Sequence, residues 1–384
     1  MSLAEDLLRQ CQKNLTTEGY QDSINEINYS RKVDNFLLSA TPTIAIISLF
    51  CAISISMLTM MAVTKKRLSK RHYGLILNNY CCDILTSIII IGVGTFSNFT
   101  RTTFAIYAMA FFIITFSITH ASLYNIIHCF LVKDIQQRSL TFRRSCSPAK
   151  ISMLTFLQWG ISLIYSLAFI PLMIMFYSKE TLFRLCSFNS CQLPLLYISI
   201  VIMIIFIISI ILIYTYTFFS IRNAVKNEES RNETPLSKGL LFKFLAHGGR
   251  VVLYILTTML ILSGAIVILI THINIHDLSK NLADCPVYEF LKEGNTLHTV
   301  CGGIVLVWLV KMIFDPVILL AIDYQDLLPW LNNSGQIQRL RAESIYSLAQ
   351  AQEFFTHNSF NELSRKLLRK LTRAWPFVEQ KYFL

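Results

Sequence analysis

Long stretches of almost uninterrupted apolar residues alternate along the chain with short polar segments. A bilayer core needs about 20 apolar residues in helical form, and each stretch is at least that long. Because lipid offers no hydrogen-bond partner to an open backbone, the pattern predicts transmembrane helices. The stretches are far too long for barrel strands. The predicted spans are seven: 36–63, 75–97, 103–132, 151–177, 194–221, 248–272 and 298–322.

The composition favours the same class. Charged residues make up 15% of the 384 residues and hydrophobic residues 54%, whereas soluble proteins average about 25% charged residues. The net charge of +11 would suit a nucleic-acid partner. However, the basic residues form short clusters between apolar stretches, which is a membrane pattern. We therefore expect a multi-pass protein of the plasma membrane, with the lipid bilayer and no nucleic acid as a partner.

The distribution of Lys and Arg predicts the orientation. The N-terminal segment and the loops on its side carry 9 of the 34 basic residues, while the opposite loops and the tail carry 24. The richer side is cytoplasmic, so the N-terminus is expected outside. Three glycosylation sequons begin at Asn14, Asn28 and Asn98, all on the predicted outer side.

These assignments divide the chain into three parts. Residues 1–35 are a polar extracellular segment without a recognisable cleavable signal peptide, 36–322 are the seven-helix bundle, and 323–384 are a cytoplasmic tail. Leucines spaced as on a helix, with Arg and Lys between them, predict a basic amphipathic helix over about 363–375. A membrane-surface helix, a plain surface helix and a calmodulin-like partner site all fit that pattern.

Four cysteines fall on the predicted outer side, where disulfides persist: Cys11, Cys186, Cys191 and Cys285. Three pairings are possible, and the sequence does not choose among them. Cys186 and Cys191 flank a short loop that a disulfide would close.

Ionisable residues at membrane depth are the most informative positions. Charge there costs on the order of 3 kcal/mol, so such residues normally face the bundle interior and have partners. Asp83, Lys311 and Asp315 qualify, and Lys311 and Asp315 are four residues apart on one helix face. We expect a polar switch core or an ion site. The alternative is a fixed salt bridge. Arg250 is assigned to the cytoplasmic edge of the sixth span.

Catalytic chemistry has no support in the sequence. It contains no His-Glu-x-x-His, no Gly-rich phosphate loop and no nucleophile elbow, so no enzyme, metal or cofactor is expected. His120 and His128 can share a helix face, but two histidines alone are a poor metal site, and polar packing is the better interpretation.

Specific residues resemble G-protein-coupled receptors. In span two, Asn78 and Asp83 match the Asn-Leu-Ala-x-Ala-Asp pattern of rhodopsin-type receptors, and Asp315-Pro316 matches the Asn/Asp-Pro step of span seven. The longer string from Asp315 to Gln325 resembles the Asp-Pro, apolar run, Tyr-Arg ending of nematode serpentine chemoreceptors, with Gln325 in place of Arg.

Other receptor motifs are missing. Span three has no Asp-Arg-Tyr and span six has no Cys-Trp-x-Pro, which argues against aminergic and peptide receptors. An opsin would carry its retinal-binding Lys seven residues before the motif Pro, where this chain has Leu309.

The chemoreceptor resemblance implies a small ligand bound in the extracellular half of the bundle and a heterotrimeric G protein as the cytoplasmic partner. Residue depth suggests six ligand contacts: Tyr107, Phe111, Phe112, Tyr197, His298 and Thr299. The alternative is an inverted seven-span ligand-gated channel subunit of the insect odorant and gustatory type, against which the charge asymmetry argues. A transporter ranks last, since Pro is nearly absent from the spans.

Overall fold

The computed structural model describes residues 11, 17–65, 68, 70–100, 104–137, 148–168, 191–230, 236–280 and 285–328. Within these residues the chain is helical, and the seven helices are long and apolar enough to cross a membrane. They are α1 (Thr17–Thr64), α2 (Lys70–Thr100), α3 (Phe104–Gln137), α4 (Pro148–Ala168), α5 (Leu193–Ser230), α6 (Leu236–Lys280) and α7 (Val287–Leu327).

This architecture confirms the predicted all-α membrane fold, and the helices extend beyond the predicted spans. α1 begins at Thr17, so most of the segment predicted as a separate extracellular part continues the first spanning helix. With 48 residues α1 is about 72 Å long, more than twice the hydrocarbon thickness of about 30 Å. The predicted tail helix and the end of the fourth span, 169–177, lie outside the described residues.

The helices form a closed bundle with α3 in its middle. α3 contacts α2, α4, α5, α6 and α7, while α1 packs on α2 and on α7 and thereby closes the ring. The core between them is apolar around the fully buried Trp308, Leu309 and Met312 of α7. Large apolar side chains on the outer surface, such as Phe50 and Phe156, are more than 70% exposed. This reversal of the soluble pattern is what a lipid environment favours.

The outer parts of α1 and α7 are joined at several levels. A disulfide links Cys11 to Cys285, just before α7. Ile27 packs in one apolar cluster with Val287 and Leu291. Polar side chains further along α1 and α7 add to these contacts. Asn295 donates from Nδ2 to the Glu26 carboxylate at 2.8 Å, and His298 Nε2 lies 3.2 Å from Asp34 Oδ1.

Further along the same contact, α1 and α7 approach so closely that a methyl group added at one position would force a side chain to shift. A Cβ added at Gly302 would overlap the Leu37 side chain, whereas one added at Gly303 would meet no atom within 4 Å. We expect Gly302→Ala to destabilise the protein by about 1–3 kcal/mol through overpacking. Gly303→Ala is the matched control and is expected to be neutral or slightly stabilising, because Ala favours helix. Thermal unfolding of the purified variants in lipid nanodiscs checks the pair. Equal midpoints would contradict the close approach of α1 to α7.

Candidate functional site: a buried polar centre

The strongest polar contact inside the bundle is an ion pair between α6 and α7. Arg250 donates from Nε to Asp315 Oδ1 at 2.7 Å and from its second terminal nitrogen to Oδ2 at 2.8 Å. Both side chains are 5% exposed. This two-pronged geometry is the one that guanidinium and carboxylate favour, and it fixes their relative orientation. Asp315 therefore pairs with Arg250 on the neighbouring helix α6. It does not pair with Lys311 on its own helix, as the spacing of four residues suggested.

Two tyrosines flank the Arg250 guanidinium. The ring centroids of Tyr80 on α2 and Tyr124 on α3 lie 5.6 and 5.7 Å from its central carbon. Arg250 also donates a hydrogen bond to the Tyr124 hydroxyl at 3.3 Å. The Tyr80 hydroxyl, by contrast, is buried and has no hydrogen-bond partner among the described residues. Arg250 thus connects α6 to α7, α3 and α2 at one level of the bundle.

Two further buried residues of opposite charge lie in the same centre. Asp83 on α2 is 1% exposed and Lys311 on α7 is 3% exposed. Asp83 accepts a long hydrogen bond of 3.4 Å from Asn79 and interacts electrostatically with Lys311. The Lys311 ammonium lies 4.9 Å from the Trp308 ring centroid, within the range of a cation–π contact. The indole nitrogen of Trp308 in turn donates to Ser117 on α3 at 2.9 Å.

At the ends of α2 and α7, a third polar layer surrounds Asp323. The Tyr73 hydroxyl donates to Asp323 Oδ2 at 2.6 Å, and His247 Nε2 lies 3.9 Å from the same oxygen. The His247 ring is 6.0 Å from the His128 ring. Asp323 also has non-helical dihedrals, which bend the last turns of α7.

A neutral network joins α2, α3 and α4. Asn78 donates to Gln158 Oε1 at 3.1 Å and accepts from Trp159 Nε1 at 2.8 Å. Gln158 donates to the His120 carbonyl at 2.9 Å. His120 therefore takes part in polar packing. Among the described residues no group of three His, Cys, Asp or Glu side chains could hold a metal ion.

The predicted switch residues Asp83, Lys311 and Asp315 all lie buried in this centre. Their switching role stays a prediction. Sequence reasoning missed Arg250, since its position beside the cytoplasmic end of an apolar run resembles that of an interfacial cation. α6 in fact begins at Leu236, which is 14 residues or about 21 Å before Arg250. This extension of α6 on the predicted cytoplasmic side of Arg250 is what places Arg250 inside the bundle.

The predicted ligand contacts are less clearly grouped. Phe112 is partly buried on α3, His298 contacts Asp34, and the Thr299 hydroxyl donates to the Asn295 carbonyl at 2.8 Å. Tyr197 is 49% exposed and shares an outward stripe of α5 with Val201 and Ile205, a placement that favours lipid contact. The side chains of Tyr107 and Phe111 lie outside the described residues, so this set stays a prediction.

Among the four outer cysteines, Cys11 bonds to Cys285. Cys191 is also in a disulfide, while Cys186 lies outside the described residues. Asn28 is exposed on α1, whereas Asn14 and the side chain of Asn98 fall outside the described part of the chain. Glycosylation at all three asparagines stays a prediction.

No protein-family model and no curated protein sequence matches this chain. Among solved structures, squid rhodopsin is similar to it. The two are 15% identical, the match covers 78% of this chain and 82% of that chain, and the TM-score is 0.41. At that identity and TM-score, the similarity carries no inference about ligand, partner or mechanism. The class follows from the helices themselves: the chain is an all-α, multi-pass membrane protein with seven spanning helices in the part of the chain that the structure describes.

Proposed function

We propose that this protein is a seven-helix receptor of the plasma membrane, which binds a small extracellular ligand within the bundle and signals to a cytoplasmic heterotrimeric G protein. The observation that carries the proposal is the buried Arg250–Asp315 ion pair between α6 and α7. A buried ion pair adds little net stability compared with apolar packing, but breaking it by removing one partner is costly. Such a contact suits a two-state element whose equilibrium a ligand shifts.

The disulfide supports the proposed orientation. Cys11 near the N-terminus is bonded to Cys285 in the connection between α6 and α7, and disulfides persist on the oxidising side of the membrane. Both segments are on the side that has few basic residues, which the positive-inside rule places outside. An inverted channel would hold this disulfide in the reducing cytosol, so the disulfide disfavours that alternative.

The position of Arg250 suits control of a cytoplasmic surface. About 21 Å of α6 separates Arg250 from Leu236, where the helix begins. Gly248 and Gly249 directly precede Arg250, and Gly pairs are sites where helices bend. A 10° rotation there would move the cytoplasmic end by about 4 Å, given the helical rise of about 1.5 Å per residue. Release of Arg250 from Asp315 would thus open the face to which the 222–247 segment belongs.

The chemosensory role follows from the resemblance to nematode serpentine chemoreceptors. We assign the ligand to the outer half of the bundle, with Phe112, His298 and Thr299 as contacts; Tyr107 and Phe111 stay predicted contacts from the sequence alone. The joined outer parts of α1 and α7 support a fixed frame around such a ligand.

Sidedness separates the receptor from the inverted channel. An epitope tag on the N-terminus should bind antibody on intact, unpermeabilised cells, while a tag on the C-terminus should require permeabilisation. An N-terminal tag that binds antibody only after permeabilisation would contradict the receptor proposal. Coupling to a G protein needs no known ligand for its test, because Arg250 variants are expected to signal without one.

A further inference from the structure

The buried hydroxyl of Tyr80 carries an inference that deepens the proposed function. The Tyr80 side chain is 0% exposed, and its oxygen has no hydrogen-bond partner among the described residues. A buried hydroxyl without a partner loses its hydrogen bonds to water and gains none in return. Such a group merits an explanation, particularly here, since its ring lies against the Arg250 guanidinium.

The register of α2 against α7 shows what the hydroxyl is placed to bind. The two helices run antiparallel, and Tyr73 on α2 donates to Asp323 on α7 at 2.6 Å. Tyr80 lies seven residues further along α2, and Asp315 lies eight residues back along α7. These steps correspond to about 11 and 12 Å, so they bring Tyr80 level with Asp315. The chain therefore repeats one Tyr–Asp arrangement twice along the same helix pair.

Only one of the two Tyr–Asp pairs is formed. The Tyr73–Asp323 hydrogen bond is made, whereas both oxygens of Asp315 accept from Arg250. Tyr80 and Asp315 nevertheless interact electrostatically. Asp315 thus binds Arg250 on α6, and a second possible donor, the Tyr80 hydroxyl, lies on α2.

We propose that Tyr80 is the alternative partner of Asp315, whose carboxylate exchanges Arg250 for the Tyr80 hydroxyl when α6 moves away. The inference rests on the proposed function for its signalling consequence. In the closed arrangement α7 is joined to α6. In the open arrangement α7 is joined to α2, and the buried carboxylate keeps a donor in both. An exchange of this kind gives the bundle two discrete states and removes the penalty for an unpaired Asp315 in the second.

Two tyrosines provide a matched comparison, because they flank the same guanidinium and only one hydroxyl is bonded. Tyr80→Phe removes an oxygen without a partner, so the thermal midpoint of the protein in nanodiscs should stay the same or rise. Tyr124→Phe removes an acceptor of Arg250, so its midpoint should fall. A midpoint that falls for Tyr80→Phe as much as for Tyr124→Phe would show that Tyr80 stabilises the closed state and would overturn the proposal.

The order reverses once Arg250 is removed. In an Arg250→Met background, Tyr80→Phe should lower the midpoint by several degrees and reduce basal nucleotide exchange about tenfold. Tyr124→Phe should change neither, since its partner is gone. Adding Asp315→Leu should abolish the effect of Tyr80→Phe. Where Arg250→Met does not reach the membrane, Arg250→Lys takes its place, because one ammonium cannot reproduce the two-pronged contact.

The two proposals fail in different ways. If Arg250→Met does not raise nucleotide exchange, the signalling proposal is wrong, but the midpoints still decide the role of Tyr80. If exchange rises and Tyr80→Phe lowers neither exchange nor midpoint in that background, only the partner exchange is wrong.

Discussion

Arg250→Met is expected to raise ligand-independent nucleotide exchange on G proteins by about tenfold or more. The substitution leaves the Asp315 carboxylate buried without its cation, and breaking a buried pair in this way costs about 3–5 kcal/mol. Since about 1.4 kcal/mol corresponds to a tenfold change in an equilibrium, even part of that cost would shift the closed and open populations strongly. Binding of a non-hydrolysable GTP analogue to a panel of purified heterotrimers, in membranes that contain equal amounts of each variant, measures the effect.

Asp315→Asn should give a similar rise in exchange, because the neutral amide cannot hold both guanidinium nitrogens. The double variant Arg250→Met/Asp315→Asn separates signalling from stability. It buries no unpaired charge, so its thermal midpoint should recover toward that of the wild type, while its basal exchange should stay high because α6 and α7 remain unconnected. Unchanged basal exchange in all three variants at normal surface density would assign the ion pair a purely structural role.

The spans were predictable because lipid imposes a strong one-dimensional signal. The requirement for about 20 apolar residues is local, and each predicted span lies on a helix as far as the structure describes it. The true helix ends were less predictable. α1 continues from Thr17 through the polar segment because Ile27 and its neighbours pack on the outer part of α7. That stabilisation comes from another helix and leaves little trace in the local pattern.

In the polar centre, too, some features could be predicted from the sequence and others could not. Asp83, Lys311 and Asp315 were identifiable because charge is rare at membrane depth. Their partners were not, since spacing along a helix reveals only neighbours on that helix. Lys311 and Asp315 are correctly spaced to pair, yet Asp315 binds Arg250, which is 65 positions away in sequence. The flanking tyrosines carry no charge and resemble ordinary apolar residues, so the sequence could not single them out.

Substituting Asp83 or Lys311, the other two opposite charges of the centre, should give a large loss of folded protein. Lys311→Met is expected to leave the Asp83 carboxylate without its nearby cation. Asp83→Asn should leave the Lys311 ammonium with the Trp308 ring and with Asp315, whose carboxylate already binds Arg250. Each single substitution should cost about 3–5 kcal/mol. We therefore expect low surface expression and a thermal midpoint well below that of the wild type for both, as measured by antibody binding on intact cells and by unfolding in nanodiscs.

Double variants identify the carboxylate whose charge Lys311 compensates. Asp83→Asn/Lys311→Met removes both charges at once, so expression and midpoint should recover most of the loss. Asp315→Asn/Lys311→Met should recover little, because it leaves Asp83 and Arg250 as separated buried charges. The reverse order of recovery would assign Lys311 to Asp315 and restore the pairing suggested by their spacing on α7. Asp83, Arg250, Lys311 and Asp315 together carry two positive and two negative formal charges, so removing a single one leaves an opposite charge buried without compensation. When Asp315 pairs with Arg250 and Lys311 interacts with Asp83, α7 is joined both to α6 and to α2, whereas a Lys311–Asp315 pair would lie within α7 and join it to neither.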